Sequence, residues 1–336
     1  MITLLSIENL RGVRTGSLGY LAPLTLLTGP NGCGKSTVLD ALLIAAHPHP
    51  GEGIGEAVAR YPEVADGARW LVGAGADAAT VTALRQGDEV SVRCELTVEP
   101  GSDRAPARAG QDSRVIVCRA AEQYTDAPVM VTRTVFTRGN EFQAQVSRDA
   151  GRRGSELVHL VDPSRPRELN AVYSEAVRRG YKRELLELVG ALVPDLDGIE
   201  LLTDGDDSTA LYVTTAAHSV PVGLAGEGVR RLLALALALA AQPGGLALIE
   251  EPAAGLHPEA VRQCARALLA AVRRDLQVVA TTRRPELIEL VVEEAADEDL
   301  ERVAVFQLGL DDGDLTAPLR SGRDTVRARG ASGAKR

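Results

Sequence analysis

Gly29, Pro30, Asn31, Gly32, Cys33, Gly34, Lys35, Ser36 and Thr37 run in that order and fit the spacing G-x-x-x-x-G-K-[ST] without a mismatch. Glycines at these intervals let backbone N–H groups turn inward around phosphate oxygens, at a helix N-terminus that already favours an anion. In such a loop Lys35 reaches the β- and γ-phosphates and the Ser36 hydroxyl serves Mg²⁺. The chemistry is therefore that of a nucleoside triphosphate, with ATP and Mg²⁺ as the expected pair. Leu24–Thr28 before the loop is a short apolar run suited to a buried strand. Val38–Ala46 after it has the apolar content and length of a helix. Strand, glycine loop and helix is the context a working phosphate loop needs.

A second stretch offers carboxylates. Gly245–Ile249 is an apolar run closed by Glu250, Glu251 and Pro252. A buried strand would deliver both acids to the end of a sheet, where α/β folds bind ligands. Glu250 stands where an acid holds the Mg²⁺ shell, and Glu251 where a general base positions water against the γ-phosphate. Neighbouring strand residues face opposite ways, so the two acids serve two roles only if the strand ends there. Pro252 is consistent with that ending.

Composition narrows the field. A chain of 336 residues with 45% hydrophobic and 25% charged content is long enough to bury a full core, as one large domain or two. The net charge of −9 argues against a uniformly basic nucleic-acid coat. Lysine occurs only at 35, 182 and 335, and the four cysteines (Cys33, Cys94, Cys118, Cys264) form no C-x-x-C pair. Free thiols in a reducing compartment follow. The N-terminus has no basic region or cleavage site, and the apolar run Leu232–Ala241 is too short to span a bilayer. A cytoplasmic protein without a membrane partner is expected.

The elements that must position these residues read as follows. Ile2–Ile7 and Leu21–Thr28 are strands separated by a Gly/Arg stretch. The proline-punctuated His47–Gly51 stops the helix after the phosphate loop, and a metal on its two histidines is not favoured. Residues 52–86, including Thr80–Leu84, read as helical and irregular. Segments 89–99, 114–119, 129–136 and 141–146 alternate apolar and polar residues and form an antiparallel sheet region with polar loops at 100–113 and 149–155. Helices are expected over 167–179 and 181–193, and strands over about 199–203 and 209–215 with a turn at Asp204–Ser208. Leu232–Ala241 alternates Leu and Ala, but both are strong helix formers and the run is apolar on every side, so a buried helix is expected.

These residues also carry a resemblance. Glu250–Pro258, reading E-E-P-A-A-G-L-H-P, resembles the Walker B and D-loop segment of ABC-type ATPases of the SMC/RecF/OLD-like group. Ile7–Gly12 resembles that group's opening I-x-N-F-R-G strand. Leu224–Leu233 sits where the ABC signature precedes its helix, and Val278–Leu287 resembles the switch strand T-T-H-S-P-E-L. The resemblance implies an α/β fold: a P-loop NTPase with an ABC-ATPase-like head, a mixed sheet flanked by helices, over 1–50 and 195–319. An inserted β-rich/helical subdomain would occupy 51–194 and a basic disordered tail 320–336. It also implies a homodimer formed on ATP binding, with Gly226, Glu227 and Gly228 of one copy facing the phosphate loop of the other. Two positions depart from the group. Ala225 or Gly226 stands where the signature has serine, and Arg283 replaces the switch histidine. An arginine keeps its charge and pairs with phosphate oxygens but cannot act as a neutral switch.

Strands and short helices in the middle of the chain are unlike the long heptad helices of an SMC arm. Gly29 and Gly226 are farther apart than in a transporter subunit, and the stretch after the switch is short for the Toprim domain of OLD nucleases. Asp311–Asp314 reads as a hairpin turn between strands 303–306 and 315–319, not a nuclease centre. The reading is a stand-alone OLD-like AAA ATPase that drives or gates a separately encoded effector, in phage defence or toxin-type systems. One alternative is a RecF-like DNA-binding clamp, marked by Arg104, Arg108, Arg114, Arg133, Arg138, Arg148, Arg152 and Arg153 on one face; a nucleic-acid partner is not otherwise indicated. The other is a nucleotide-gated scaffold with little turnover.

Overall fold

The computed structural model describes residues 1–64, 66–86, 91–100, 114–122, 129–136, 141–149, 158–162, 169–203, 208–242 and 244–333. In chain order the strands are β1 (Ile2–Leu10), β2 (Val13–Gly19), β3 (Leu24–Thr28), β4 (Ala79–Arg85), β5 (Ser91–Pro100), β6 (Arg114–Glu122), β7 (Met130–Phe136), β8 (Phe142–Asp149), β9 (Val158–Val161), β10 (Leu196–Thr203), β11 (Thr209–Thr215), β12 (Ser219–Pro221), β13 (Gly245–Ile249), β14 (Leu276–Thr282), β15 (Val303–Gln307), β16 (Gly309–Asp311), β17 (Asp314–Thr316) and β18 (Leu319–Ser321). The helices are α1 (Lys35–Ala46), α2 (Pro50–Ala59), α3 (Leu169–Arg178), α4 (Lys182–Gly190), α5 (Glu227–Ala240), α6 (Pro258–Arg273), α7 (Pro285–Glu294) and α8 (Gly322–Gly333). The chain forms two compact units: Met1–Leu21 with Gly29–Val158 and Phe306–Pro318, and Ala22–Thr28 with His159–Val305 and Leu319–Arg336.

The first unit is built on a nine-stranded sheet in the order β16-β17-β2-β1-β4-β5-β6-β7-β8. Its pairs are antiparallel except β17 with β2. Helix α1 is buried along almost its whole length, as its Val, Leu, Ile and Ala content on every side requires. It packs on β1, β4 and α2. Helix α2, Pro-Gly-Glu-Gly-Ile-Gly-Glu-Ala-Val-Ala, has poor intrinsic helix propensity, so neighbours must hold it. Gly55 shows how close they come: a Cβ there would fall inside the contact distance of the Phe142 ring.

Among the described residues of this unit, the carboxylate of Asp40 is fully buried. Asp40 of α1 accepts a bond from Arg11 Nε at 2.6 Å and another from Arg60 Nη1. Arg11 also donates to the Ala57 carbonyl, and its guanidinium lies 4.7 Å from the Tyr61 ring centroid. Burial pushes the Asp40 carboxyl up from its ordinary range, against the pull of Arg60 and Arg11.

The second unit centres on a six-stranded sheet, β18-β15-β3-β14-β13-β9. Strands β3, β14 and β13 are parallel, and β13, α6 and β14 make a β-α-β crossover. All seven residues of β14 are buried, the pattern of a parallel strand covered on both faces. Helices α5 and α6 pack together, with α3 and α4 against α5 and α7 against α6. A three-stranded antiparallel sheet, β10-β11-β12, completes the unit. Leu232, Leu233, Leu235, Leu237 and Leu239 are all buried in α5, each stabilising the core by about 1.5–3 kcal/mol relative to exposure. The Leu/Ala run is therefore the buried helix the sequence predicts. Cys264 of α6 is buried, and desolvation pushes its thiol up to about 12, so it is inert.

Several elements differ from the sequence reading. Val13–Gly19, read as a Gly/Arg connection, is a strand because β1 and β17 pair with it on either side. Thr80–Leu84, read as helical, is β4. Its buried residues alternate with half-buried ones, and that period of two outweighs the helix preference of alanine. Strand β9 has no counterpart in the reading. Between Val303 and Leu319 lie two further short strands, and Asp311 faces Asp314 across the β16–β17 hairpin, so the acidic cluster is a turn. The tail expected to be disordered, 320–336, carries most of β18 and all of α8 over its described residues 320–333. Strand β18 joins the sheet edge, and α8 packs on β18 and α7. The turn at 204–207 and the loop at 101–113 lie outside the described residues. Among the described residues no helix is long and apolar enough to cross a membrane.

Candidate functional site

Parallel pairing brings the C-terminal ends of β3, β14 and β13 to one edge of their sheet, with Thr28 opposite Thr282 and Ala280 opposite Ile249. The chain leaves β3 at Thr28 and enters the glycine loop directly. Gly29 takes φ 144°, and a Cβ there would lie 2.7 Å from Cys33 Sγ and closer still to the Leu308 carbonyl oxygen. Only glycine fits this entry to the loop. Pro30, Asn31 and Gly32 are exposed, whereas Cys33, Lys35 and Thr37 are buried and Ser36 is half-buried. Gly34, at φ 90°, caps α1 without any side-chain hydrogen bond.

Lys35 holds the loop together from within. Its ammonium donates to the Gly29 carbonyl at 2.7 Å and the Pro30 carbonyl at 2.8 Å, and lies 3.7 Å from Cys33 Sγ. The loop thus has an exposed rim, a helix N-terminus with no side-chain cap and a buried cation on its own carbonyls. That donor set fits a phosphate chain. The Ser36 hydroxyl, on the first turn of α1, is the hard oxygen ligand a Mg²⁺ ion would use.

In the second unit β13 stops at Ile249, before the acidic pair, as two separate roles demand. Glu250 donates its N–H to the Val161 carbonyl at 3.4 Å. Glu251 takes the left-handed φ of 47°, uncommon outside glycine. Its N–H donates to Thr281 Oγ1 at 3.1 Å, which pins the backbone there. The Glu251 carboxylate faces Arg283: Oε2 accepts the Arg283 backbone N–H at 3.1 Å, and Oε1 accepts Arg283 Nε at 2.9 Å. Arg284 then donates to the carbonyls of Ala253 at 3.2 Å and Leu256 at 2.6 Å. Two successive arginines therefore hold the segment after β13.

At the start of α5, Gly226 has φ 93° and ψ 148° and caps the helix with no side-chain bond. Gly226 and Glu227 are exposed and Gly228 half-buried. Arg230 grips the Glu227 carboxylate at 2.7 Å, and this bond holds it below its ordinary range.

The structure brings the loop residues 29–37 into one cradle and gathers Glu251, Thr281 and Arg283 at one strand end. Of the arginines named for a basic face, Arg114 pairs with Asp66 at 3.1 Å and Arg133 with Glu99 at 2.9 Å; Arg104, Arg108, Arg138, Arg152 and Arg153 lie outside the described residues. Sequence reasoning missed Arg284 and the Leu308 backbone, whose roles depend on carbonyl positions that no motif encodes. It also missed the partner of Arg11, although that arginine sits inside the opening motif.

A family model described as "AAA domain, putative AbiEii toxin, Type IV TA system" matches residues 140–289, and one described as "AAA domain" matches residues 4–148. No curated protein matches the chain. Among solved structures, an SMC head bound to the C-terminal winged-helix domain of ScpA is similar at 14% identity, covering 97% of this chain and 99% of that one, with a TM-score of 0.58. An SMC head domain from Pyrococcus furiosus with an extended coiled coil, bound to the C-terminal domain of ScpA, is similar at 12% identity, with 98% of each chain covered and a TM-score of 0.52. Identities this low speak for the fold. Two AAA-domain models thus match overlapping halves of the chain, and the fold of an SMC head, a mixed α/β architecture, runs through nearly all of it.

Proposed function

We propose that the chain binds ATP with Mg²⁺ and hydrolyses it to ADP and phosphate. The observation that carries this reading is the glycine loop opening onto the uncapped N-terminus of α1, with Lys35 held by the Gly29 and Pro30 carbonyls and near Cys33 Sγ rather than by a carboxylate. Phosphate oxygens supply a stronger, charge-assisted partner for Lys35 than those carbonyls do. Ser36 and Glu250 would hold Mg²⁺, which supplies neutralisation of phosphate charge when bound. Glu251 would accept a proton from water as the water oxygen bonds to the γ-phosphorus and the bond to the ADP oxygen breaks. Backbone N–H groups at Gly226, Glu227 and Gly228 would serve the γ-phosphate of a second copy, so ATP binding favours a homodimer. Release of phosphate then opens it.

The toxin–antitoxin wording of one family model supports an ATPase that gates a separately encoded effector, in phage defence or a toxin-type system. A cytoplasmic location goes with this reading. Phosphate release by the purified protein, lost in Lys35→Ala and in Glu251→Gln, tests the activity; equal release from all three rejects it. A second reading, a nucleotide-gated scaffold with slow turnover, draws support from the pairing of Glu251 with Arg283. The ion pairs of Arg114 and Arg133 weigh against a DNA clamp.

A further inference from the structure

Glu251 is the group asked to take a proton from water, and both of its carboxylate oxygens are engaged by a single residue. The backbone N–H of Arg283 secures Oε2, so the carboxylate stays where β13 and Thr281 put it. The guanidinium holds Oε1. The guanidinium occupies one of the two lone-pair sites of Oε1, and a proton arriving there removes the negative charge that makes this bond strong. The two partners differ in freedom: the Arg283 side chain is 55% exposed and that of Glu251 15%. The cation is therefore the member that can swing away, while the carboxylate is the anchored one.

A neutral side chain at this position would let the base work without displacement. Arginine keeps its charge at every working pH, so Glu251 is freed only when another anion takes the guanidinium. Neighbouring Arg284 cannot substitute, because it is committed to the carbonyls of Ala253 and Leu256.

We propose that Arg283 is an autoinhibitory latch that holds Glu251 out of proton transfer in the resting chain. The proposal rests on the ATPase reading above, and its failure is separable from that of the reading. The test is steady-state phosphate release at saturating Mg-ATP by the full chain, its Arg283→Gln, Arg283→Lys and Glu251→Gln variants, and the Arg283→Gln/Glu251→Gln double variant. Thermal melting confirms that each is folded. Arg283→Gln should release phosphate roughly three- to tenfold faster than the parent, the range for losing one half-exposed charge-assisted bond. Arg283→Lys, which keeps the charge but loses the fork, should fall between them. The double variant should return to the rate of Glu251→Gln, because the gain passes through that carboxylate.

An Arg283→Gln rate at or below the parent overturns the latch, and so does a gain that survives in the double variant. If parent and Arg283→Gln are both silent while a fluorescent ATP analogue binds in a Lys35-dependent way, the latch fails and nucleotide binding stands. If the analogue binds neither the parent nor Lys35→Ala, the nucleotide reading falls and the latch with it.

Discussion

Arg11 Nε lies 2.6 Å from Asp40 Oδ2, which ties the turn between β1 and β2 to the middle of the helix that follows the phosphate loop. Asp40 is fully buried, and Arg11 and Arg60 approach it from two directions. Removing the carboxylate charge leaves two poorly solvated guanidinium groups without their counter-ion. Asp40→Asn should therefore destabilise the fold by about 3–5 kcal/mol, read from urea unfolding. A loss under about 1 kcal/mol would mean that water reaches the arginines and the triad contributes little.

Thr281 should act on Glu251 without touching substrate. Its hydroxyl accepts the Glu251 N–H at 3.1 Å, and Val has nearly the same shape without the oxygen. Thr281→Val leaves that N–H without its acceptor and loosens a residue held at φ 47°. The expected result is a fall in kcat of roughly tenfold, the value of one such bond, with KM little changed. An equal change in both constants would point to a broader disturbance of the strand.

Gly55 separates α2 from the Phe142 ring. Gly55→Ala improves helix propensity by about 1 kcal/mol but overpacks the contact by about 1–3 kcal/mol. A net loss in melting temperature is expected, and Phe142→Leu should recover part of it. A higher melting temperature for Gly55→Ala would show that the ring moves aside at little cost.

His47 follows α1, and burial lowers its proton affinity below the ordinary 6.5 despite the nearby carboxylates of Glu56 and Glu52, which favour the charged form. The unfolded chain takes up a proton there before the folded one does. Stability from this group is thus complete above about 6.5 and is lost as the pH falls towards the folded value. Melting temperature measured from pH 7.5 down to 5 should decline, and His47→Gln should flatten part of that slope. An unchanged slope would assign the decline to other groups.

The sequence displayed the residues that hold phosphate more clearly than it displayed the scaffold behind them. The Gly29–Thr37 spacing is dictated by backbone approach to an anion, so it survives as a readable pattern. Leu232–Ala241 was legible because burial on all sides leaves a helix former no alternative. Strand β2 was not, because Val13–Gly19 owes its extended form to partners on both sides rather than to its own side chains. Arg283 was visible as an odd residue at the switch, but its carboxylate partner is 32 positions away, a distance no local pattern reports. Arg11 was read as a motif letter, and only the fold reveals the buried aspartate behind it.

Strand β14 bonds to β3 on one side and β13 on the other, with Ala280 opposite both Leu26 and Ile249. It works as a ruler between Thr28, where the chain departs for the glycine loop, and Ile249, where it departs for the acids. A slip of one residue in either pairing would move that departure point by about 3.3 Å and turn its side chains to the other face. The ruler is made of backbone, so the apolar side chains of these strands are free to vary in evolution as long as they remain buried.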